Sequence, residues 1–344
     1  MDEDQLPLNL RAPFPTYAEQ AVAVSDHPLA SRAACKVVAQ GGNAVDAAVA
    51  LSFMLGVVCP HYTGIAGGGF AMVWMPGWPA PRWLDFREVA CAAAHPETYY
   101  DMPVGSAWEG KYSVGVPGTI AGLAELHQNF GSLPWADLIA PAIERAERGV
   151  IVDPNWARVA MLKQEAVARW DEASRILMPK GRSPRQGERI VQKDLAQSYA
   201  SLAREGPRGF YEGQVAASLL PSLEGWITAQ DLANYRVRWR EPLTMPWDGG
   251  QLYTVSSPSA GGLQLLQVLG LMERQGRCST HGVSFHHRLA EAMRISFRER
   301  CDVGGDPDFG APDPLPFVTP WWFDQWTPLL RDHSRLALSG PVLA

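Results

Sequence analysis

Gly41-Gly42-Asn43-Ala44-Val45-Asp46-Ala47-Ala48 opens a stretch that stays apolar on nearly every side as far as Val57. The glycine pair is a left-handed helix stop, so one helix ends before it. Leu29, Ala33, Val37 and Val38 share a face of that earlier helix, and Ser25 or Asp26 is placed to cap its start. Asn43 then restarts the chain, and Asp46, three residues on, completes a capping-box pair. A helix over 44–57 with no polar face has to be covered on several sides, so it lies between layers of structure.

Outward from that helix, residues 69–75 and 82–87 alternate as half-buried strands joined by a Pro/Gly turn. Amphipathic spacing predicts helices over 118–130, 135–148, 192–204 and 210–220. Thr228 and Asp231 form a second capping box. Residues 237–244 and 251–256 flank Asp248-Gly249-Gly250 and read as a hairpin. Helices over 262–274 and 283–300 follow. Residues 178–188 form a polar exposed loop and 312–320 a proline-rich one. No repeat interrupts the chain, and 1–344 reads as a single domain. Without a regular βαβ alternation the fold class is α+β, with helices packed on sheet. So few strands cannot cover so many helices, which hints that the rest of the sheet belongs to another chain.

Of the 344 residues, 47% are hydrophobic and 19% charged, enough apolar mass for a core and too few charges for a disordered tail. A net charge of −6 argues against a nucleic-acid partner, which needs a basic face. No apolar run reaches the roughly 18 residues of a membrane span, so no membrane partner is expected. The start, Met1-Asp2-Glu3-Asp4, lacks the basic and apolar regions of a signal peptide. A cytoplasmic location is the expectation, or a periplasmic one if a leader was removed. Cys35, Cys59, Cys91, Cys278 and Cys301 are odd in number and irregularly spaced, so they read as reduced, mostly buried thiols.

Several stretches admit both a site and a simpler reading. Gly64-Ile65-Ala66-Gly67-Gly68-Gly69 follows a helix and precedes a strand, the reverse of a dinucleotide loop. It reads as backbone squeezed between packed layers. Cys278, His281, His286, His287 and Cys301 match no tetrahedral spacing, so no metal is expected. Trp321, Trp322 and Trp326 suit packing across an interface. Ser257-Pro258-Ser259-Ala260-Gly261-Gly262 reads as a strand-to-helix turn, and nothing places a base beside its serines. In Asp85-Phe86-Arg87-Glu88, an extended backbone puts Asp85 and Arg87 on one face and Phe86 on the other, toward the core. Arg87 is then either half of a structural ion pair or a clamp whose planar fork binds a substrate carboxylate, steadied by Asp85 or Glu88.

Taken in order, 41–48, 64–70, Asp85-Phe86-Arg87-Glu88, Val116-Pro117-Gly118-Thr119, 209–213, 227–235, 259–262 and 305–309 resemble the γ-glutamyltranspeptidase family. The likeness runs over most of the chain. It departs from the family at Ala66 in the glycine run and in the 257–262 turn. The resemblance implies an N-terminal-nucleophile hydrolase with an αββα sandwich, made as a precursor that cleaves itself into a large and a small subunit. The chain looks like the large subunit, with Ala344 at the processing site. The nucleophile is then a threonine at the start of the partner chain, and no catalytic residue lies in this one. One family residue maps here: Arg87, which in the family holds the substrate α-carboxylate. The implied reaction cleaves a carboxylate-bearing amide, either a γ-glutamyl amide or a small amide such as oxamate, through an acyl-enzyme and without a cofactor. Cephalosporin (glutaryl) acylase activity and a non-catalytic scaffold are the alternatives. Expected partners are the small subunit, a small-molecule amide and, at a further level, a second heterodimer.

Overall fold

The computed structural model describes residues 17–276, 282–330 and 336. It is an α+β fold that divides into two compact units, where the sequence reads as one domain. The first unit runs to Gly69 and resumes over Phe86–Val237; the second comprises Phe70–Asp85 and everything from Arg238 onward.

In the first unit, α1 (Pro28–Ala39) and α2 (Ala44–Val58) pack together. Neither Ser25 nor Asp26 caps α1. His27 does, its Nδ1 accepting from the Leu29 N–H at 3.1 Å, while Ser25 Oγ donates to the His27 carbonyl at 2.9 Å. Gly41 supplies the left-handed stop, at φ 90°. The Asn43–Asp46 capping box forms as read. Asp46 is fully buried and also accepts from Ser132 N at 3.0 Å and Ser132 Oγ at 2.6 Å, which ties the start of α2 to the loop after α3 (Thr119–Phe130). Burial pushes the Asp46 carboxyl up, but the bonds from Ser132, Asn43 and Leu133 outweigh it and leave the pKa below its ordinary value.

The all-round apolar character of α2 is explained by its neighbours. Phe53 meets Trp135 of α4 (Trp135–Arg148) and Tyr199 of α8 (Lys193–Glu205) edge-on, at centroid distances of 5.4 and 5.2 Å. Between α4 and α8 run β3 (Val150–Ile151), α5 (Pro154–Leu162), α6 (Gln164–Ala168), α7 (Asp171–Leu177) and β4 (Arg189–Ile190), with β3 and β4 paired. The sequence reading missed these short elements. The predicted 210–220 helix is two pieces, α9 (Arg208–Tyr211) and α10 (Gln214–Leu219), and α11 (Ala229–Asn234) begins at the Thr228–Asp231 capping box. In the 178–188 loop, Met178 and Pro184 are buried and the rest is half-buried or exposed.

In the second unit, β1 (Phe70–Val73), β2 (Arg82–Asp85) and β5 (Arg238–Arg240) form an antiparallel sheet in that order. The predicted hairpin is corrected by one strand. Its arms are β6 (Leu243–Trp247) and β7 (Gly250–Thr254), while β5 pairs with β2 instead. Asp248 and Gly249 turn the hairpin at φ 46° and 78°, the doubly left-handed conformation that two-residue hairpins favour. Leu243 and Met245 bury one hairpin face in a core shared with α12 (Ala260–Arg274), α13 (Val283–Val303) and α14 (Pro320–Trp326). Trp322 belongs to that core at 2% exposure, which corrects its reading as an interface residue; Trp321 is exposed. Gly262 starts α12 where a Cβ would collide with the Val255 carbonyl, so 257–262 is the tight strand-to-helix turn expected.

No helix among the described residues is long and apolar enough to cross a membrane.

Candidate active site

The Asp85-Phe86-Arg87-Glu88 stretch does not stay on one strand. β2 ends at Asp85, and the next three residues form a loop. The shared-face reading of Asp85 and Arg87 therefore fails. Asp85 is buried, and its Oδ2 accepts from Arg240 Nε at 2.9 Å. Arg240 also donates through Nη2 to Asp308 Oδ2 at 3.0 Å. These bonds, largest contribution from Arg240, hold the Asp308 carboxyl below its ordinary value.

Phe86 and Arg87 belong to the first unit, where glycines shape their surroundings. Phe86 and Gly69 exchange backbone hydrogen bonds, at 3.0 Å from Phe86 N and 3.2 Å from Gly69 N. The Phe86 ring is buried against Gly69 and Gly122; a Cβ on Gly69 would lie 2.9 Å from it, and one on Gly122 would overlap it. A Cβ on Gly118 would collide with the Phe86 carbonyl and the Tyr235 hydroxyl. A Cβ on Gly68 would lie 2.6 Å from Glu88 N and 2.7 Å from Glu88 Oε2. The glycine run is thus backbone pressed against the 86–88 loop, as the simpler reading held. It serves a further purpose: the Gly67 carbonyl accepts from Gly118 N at 2.8 Å and Thr119 N at 3.0 Å, filling the start of α3, which has no side-chain cap.

Arg87 sits in the middle of this frame. Its carbonyl accepts from the Tyr235 hydroxyl at 2.8 Å. Tyr235 is buried and stacks on Tyr211 with ring centroids 5.8 Å apart and planes 5° apart. Tyr211 in turn donates to the Pro117 carbonyl at 2.8 Å; burial raises its pKa, so the phenol stays a donor. On the far side, Val89 and Val116 exchange backbone bonds at 3.3 and 2.8 Å. Ala92 N then donates to Asp231 Oδ1 at 2.9 Å. The main chain is held at residues 86, 87, 89 and 92 by groups distant in sequence, while the Arg87 side chain is exposed. An exposed guanidinium can take a carboxylate bidentately, and the fixed backbone spares the cost of ordering the loop that carries it.

Of the residues singled out from sequence, Arg87 and Glu88 share this loop, and Asp85 is engaged by Arg240 in the second unit. Tyr235, Tyr211, Gly118 and Gly122 were missed as a frame. The available signal was that 64–70, 116–119 and 227–235 are themselves motif stretches, and the fold brings them around one loop.

The remaining candidates separate. Ser257 is buried and Ser259 caps α12 by position. His286 and Cys301 lie fifteen residues apart on α13, roughly 22 Å along its axis, too far to share a metal. Cys278, His281 and Ala344 lie outside the described residues, and among the described ones no cluster of three His, Cys, Asp or Glu could hold a metal ion. The thiols are less buried than read: Cys59 and Cys91 are buried, Cys35 and Cys301 exposed. Burial, with Asp153 and Asp26 nearby, pushes the Cys59 thiol up to about 12, which makes it a poor nucleophile.

Residues 30–320 match the Gamma-glutamyltranspeptidase family. Among curated relatives, the chain is 40% identical over 302 residues to the glutathione hydrolase proenzyme of Pseudomonas aeruginosa, covering 84% of this chain and 53% of the relative. It is 35% identical over 293 residues to the glutathione hydrolase proenzyme of Bacillus subtilis, covering 82% and 50%. Among solved structures, the γ-glutamyltranspeptidase of Helicobacter pylori superposes with a TM-score of 0.89 at 32% identity, covering 93% of this chain and 95% of that one. The chain therefore spans about half the length of the curated relatives it matches, and nearly all of that one solved chain.

Proposed function

The chain belongs to the γ-glutamyltranspeptidase family, and from that premise we propose that it is the large half of a two-part amidohydrolase. Its substrate is a γ-glutamyl amide, and Arg87 clamps the α-carboxylate. The observation that carries this reading is the exposed Arg87 on a main chain fixed by Gly69, Tyr235 and Val116. A guanidinium is the side chain best shaped for bidentate carboxylate recognition, and a fixed main chain sets the point from which it reaches. Asp85 is engaged by Arg240.

The reaction follows from the resemblance. A threonine hydroxyl at the start of the second half attacks the amide carbonyl, and its own α-amino group takes the proton. The new C–O ester bond forms as the C–N bond breaks, and the amine leaves with that proton. Water or an acceptor amine then cleaves the ester. The glutathione hydrolase names of the relatives support a γ-glutamyl donor over oxamate, which would offer Arg87 a carboxylate but none of the glutamyl chain.

The test is a substrate panel on the full-length, self-processed protein: γ-glutamyl-p-nitroanilide, glutathione, oxamate and a glutaryl-cephalosporin, scored for released amine or ammonia. Turnover of the first two is expected. Arg87→Ala and Arg87→Lys should each lower kcat/KM by about 2–4 kcal/mol of transition-state binding with the fold intact. Turnover of oxamate alone, or an Arg87→Ala enzyme with unchanged kinetics, would overturn the assignment.

A further inference from the structure

A helix cap is usually a hydroxyl, an amide or a carboxylate; at the start of α1 it is an imidazole, which can take a proton near neutral pH. His27 is buried, and its Nδ1 accepts from the Leu29 N–H at 3.1 Å. An accepting Nδ1 is unprotonated, so the neutral ring carries its proton on Nε2. That Nε2 lies 3.8 Å from Oδ2 of Asp153. Asp153 in turn caps α5, its Oδ1 accepting from Trp156 N at 2.8 Å. The His27 carbonyl accepts from Ala30 N and Ser31 N at 3.0 and 3.2 Å. One residue therefore links the first turn of α1 to the first turn of α5. The turn after α2 meets them through His61, which lies against Trp156 and Tyr62 at centroid distances of 6.1 and 4.2 Å. Asn155 Nδ2 of α5 donates to the Tyr62 hydroxyl at 2.7 Å.

We propose that His27 is a pH-sensitive cap: on mild acidification its ring takes a second proton, α1 loses its side-chain cap, and the first unit loosens where α1, α5 and the turn after α2 meet. The chemistry of the cap sets the direction. A protonated Nδ1 is a donor, and so is the Leu29 N–H, so two donors would face each other where one bond had been. The new charge would also sit at a helix N-terminus, where the macrodipole disfavours a cation. Burial opposes the charge most strongly; Asp153 favours it, and Arg145 of α4 and His61 oppose it, leaving the His27 pKa below its ordinary value. The nearby Cys59 thiol, pushed up to about 12, stays neutral, and Asp26 is exposed. With the folded pKa below the unfolded value of about 6.5, the cap's contribution is complete above that value and is lost as pH falls through the folded one. The 59–62 turn leads into the glycine run that presses on the 86–88 loop, so the joint adjoins the frame of Arg87 in sequence.

The experiment follows hydrogen exchange by mass spectrometry in peptides spanning α1, on the full-length protein at pH 7.5 and pH 5, with protection corrected for intrinsic rate. In the parent, protection at the start of α1 should fall on the order of tenfold, within the roughly thirtyfold that 1.5 pH units below an ordinary histidine permit. His27→Asn keeps a capping oxygen that does not titrate, and its protection should change by less than about twofold. His61→Gln should leave the parent's fall in place. Asp153→Asn should deepen it, because Asp153 is the group that favours the charged ring. A parent whose protection does not fall, a fall that persists in His27→Asn, or one that vanishes in His61→Gln would overturn the proposal. Nitrogen-15 spectra of the histidine-labelled parent test it without any variant at the cap. The His27 ring should carry its proton on Nε2 at pH 7.5 and gain the second with a midpoint below 6.5. A ring protonated on Nδ1 at pH 7.5 would contradict it.

Discussion

Arg240 and Arg87 both meet the same short motif, one as the partner of Asp85 and one as a member of it, and they differ in burial. Arg240 is 16% exposed, with its guanidinium fixed by the carboxylates of Asp85 and Asp308. Arg87 is exposed, and the structure fixes its main chain through the Tyr235 hydroxyl, glycine-lined packing and paired strand-like backbone. The first arrangement commits a charge to the fold. The second anchors the main chain of an exposed arginine through a phenol and distant backbone. The lesson is that an arginine's surroundings show whether its charge lies inside the fold or at its surface.

The largest test of that contrast is Gly118→Ala. The new methyl would meet the Phe86 carbonyl and the Tyr235 hydroxyl, both parts of the Arg87 frame. A loss on the order of 4 kcal/mol of stability is expected, measured by chemical denaturation. A near-neutral result would mean that the frame is loose. Arg240→Met should follow, costing about 3–5 kcal/mol because it strands the buried Asp85 carboxylate. Its kcat per folded molecule should stay near the parent value, which an assay normalised to folded protein would read. If Arg240→Met removed activity without destabilising the protein, the two arginines would not differ as described.

A smaller effect comes from pH. The folded pKa of Asp308 lies below its unfolded value, with Arg240 the largest cause. Its contribution is therefore fully present above the unfolded pKa of about 3.9 and is lost as pH falls through the lowered folded value. The stability gap between the parent and Asp308→Asn should be open at pH 6 and narrow toward pH 3 in denaturation curves. A gap that widened on acidification would contradict the assignment.

Much of the first unit was legible from sequence because its signals are local. Gly41, Asn43 and Asp46 mark a helix boundary within six residues, and the apolar character of α2 announces its burial. Arg87 stood out through the motif around it. What stayed hidden depends on distant partners. Alternation runs through residue 87, yet β2 ends at Asp85, and Gly69, Gly118 and Gly122 close around Phe86 from three remote places. Likewise β5 looks like a hairpin arm, but its register is with β2, some 155 residues earlier. His27 caps α1 although serine and aspartate, the commoner caps, stand just before it at Ser25 and Asp26.

The most direct measurement compares two substrates on two enzymes: γ-glutamyl-p-nitroanilide and its analogue without the α-carboxylate, γ-aminobutyryl-p-nitroanilide, each with the parent and with Arg87→Ala. The parent should prefer the carboxylate-bearing amide by on the order of 100-fold in kcat/KM, and Arg87→Ala should lose most of that preference while processing the analogue as the parent does. An undiminished preference in Arg87→Ala would place carboxylate recognition elsewhere.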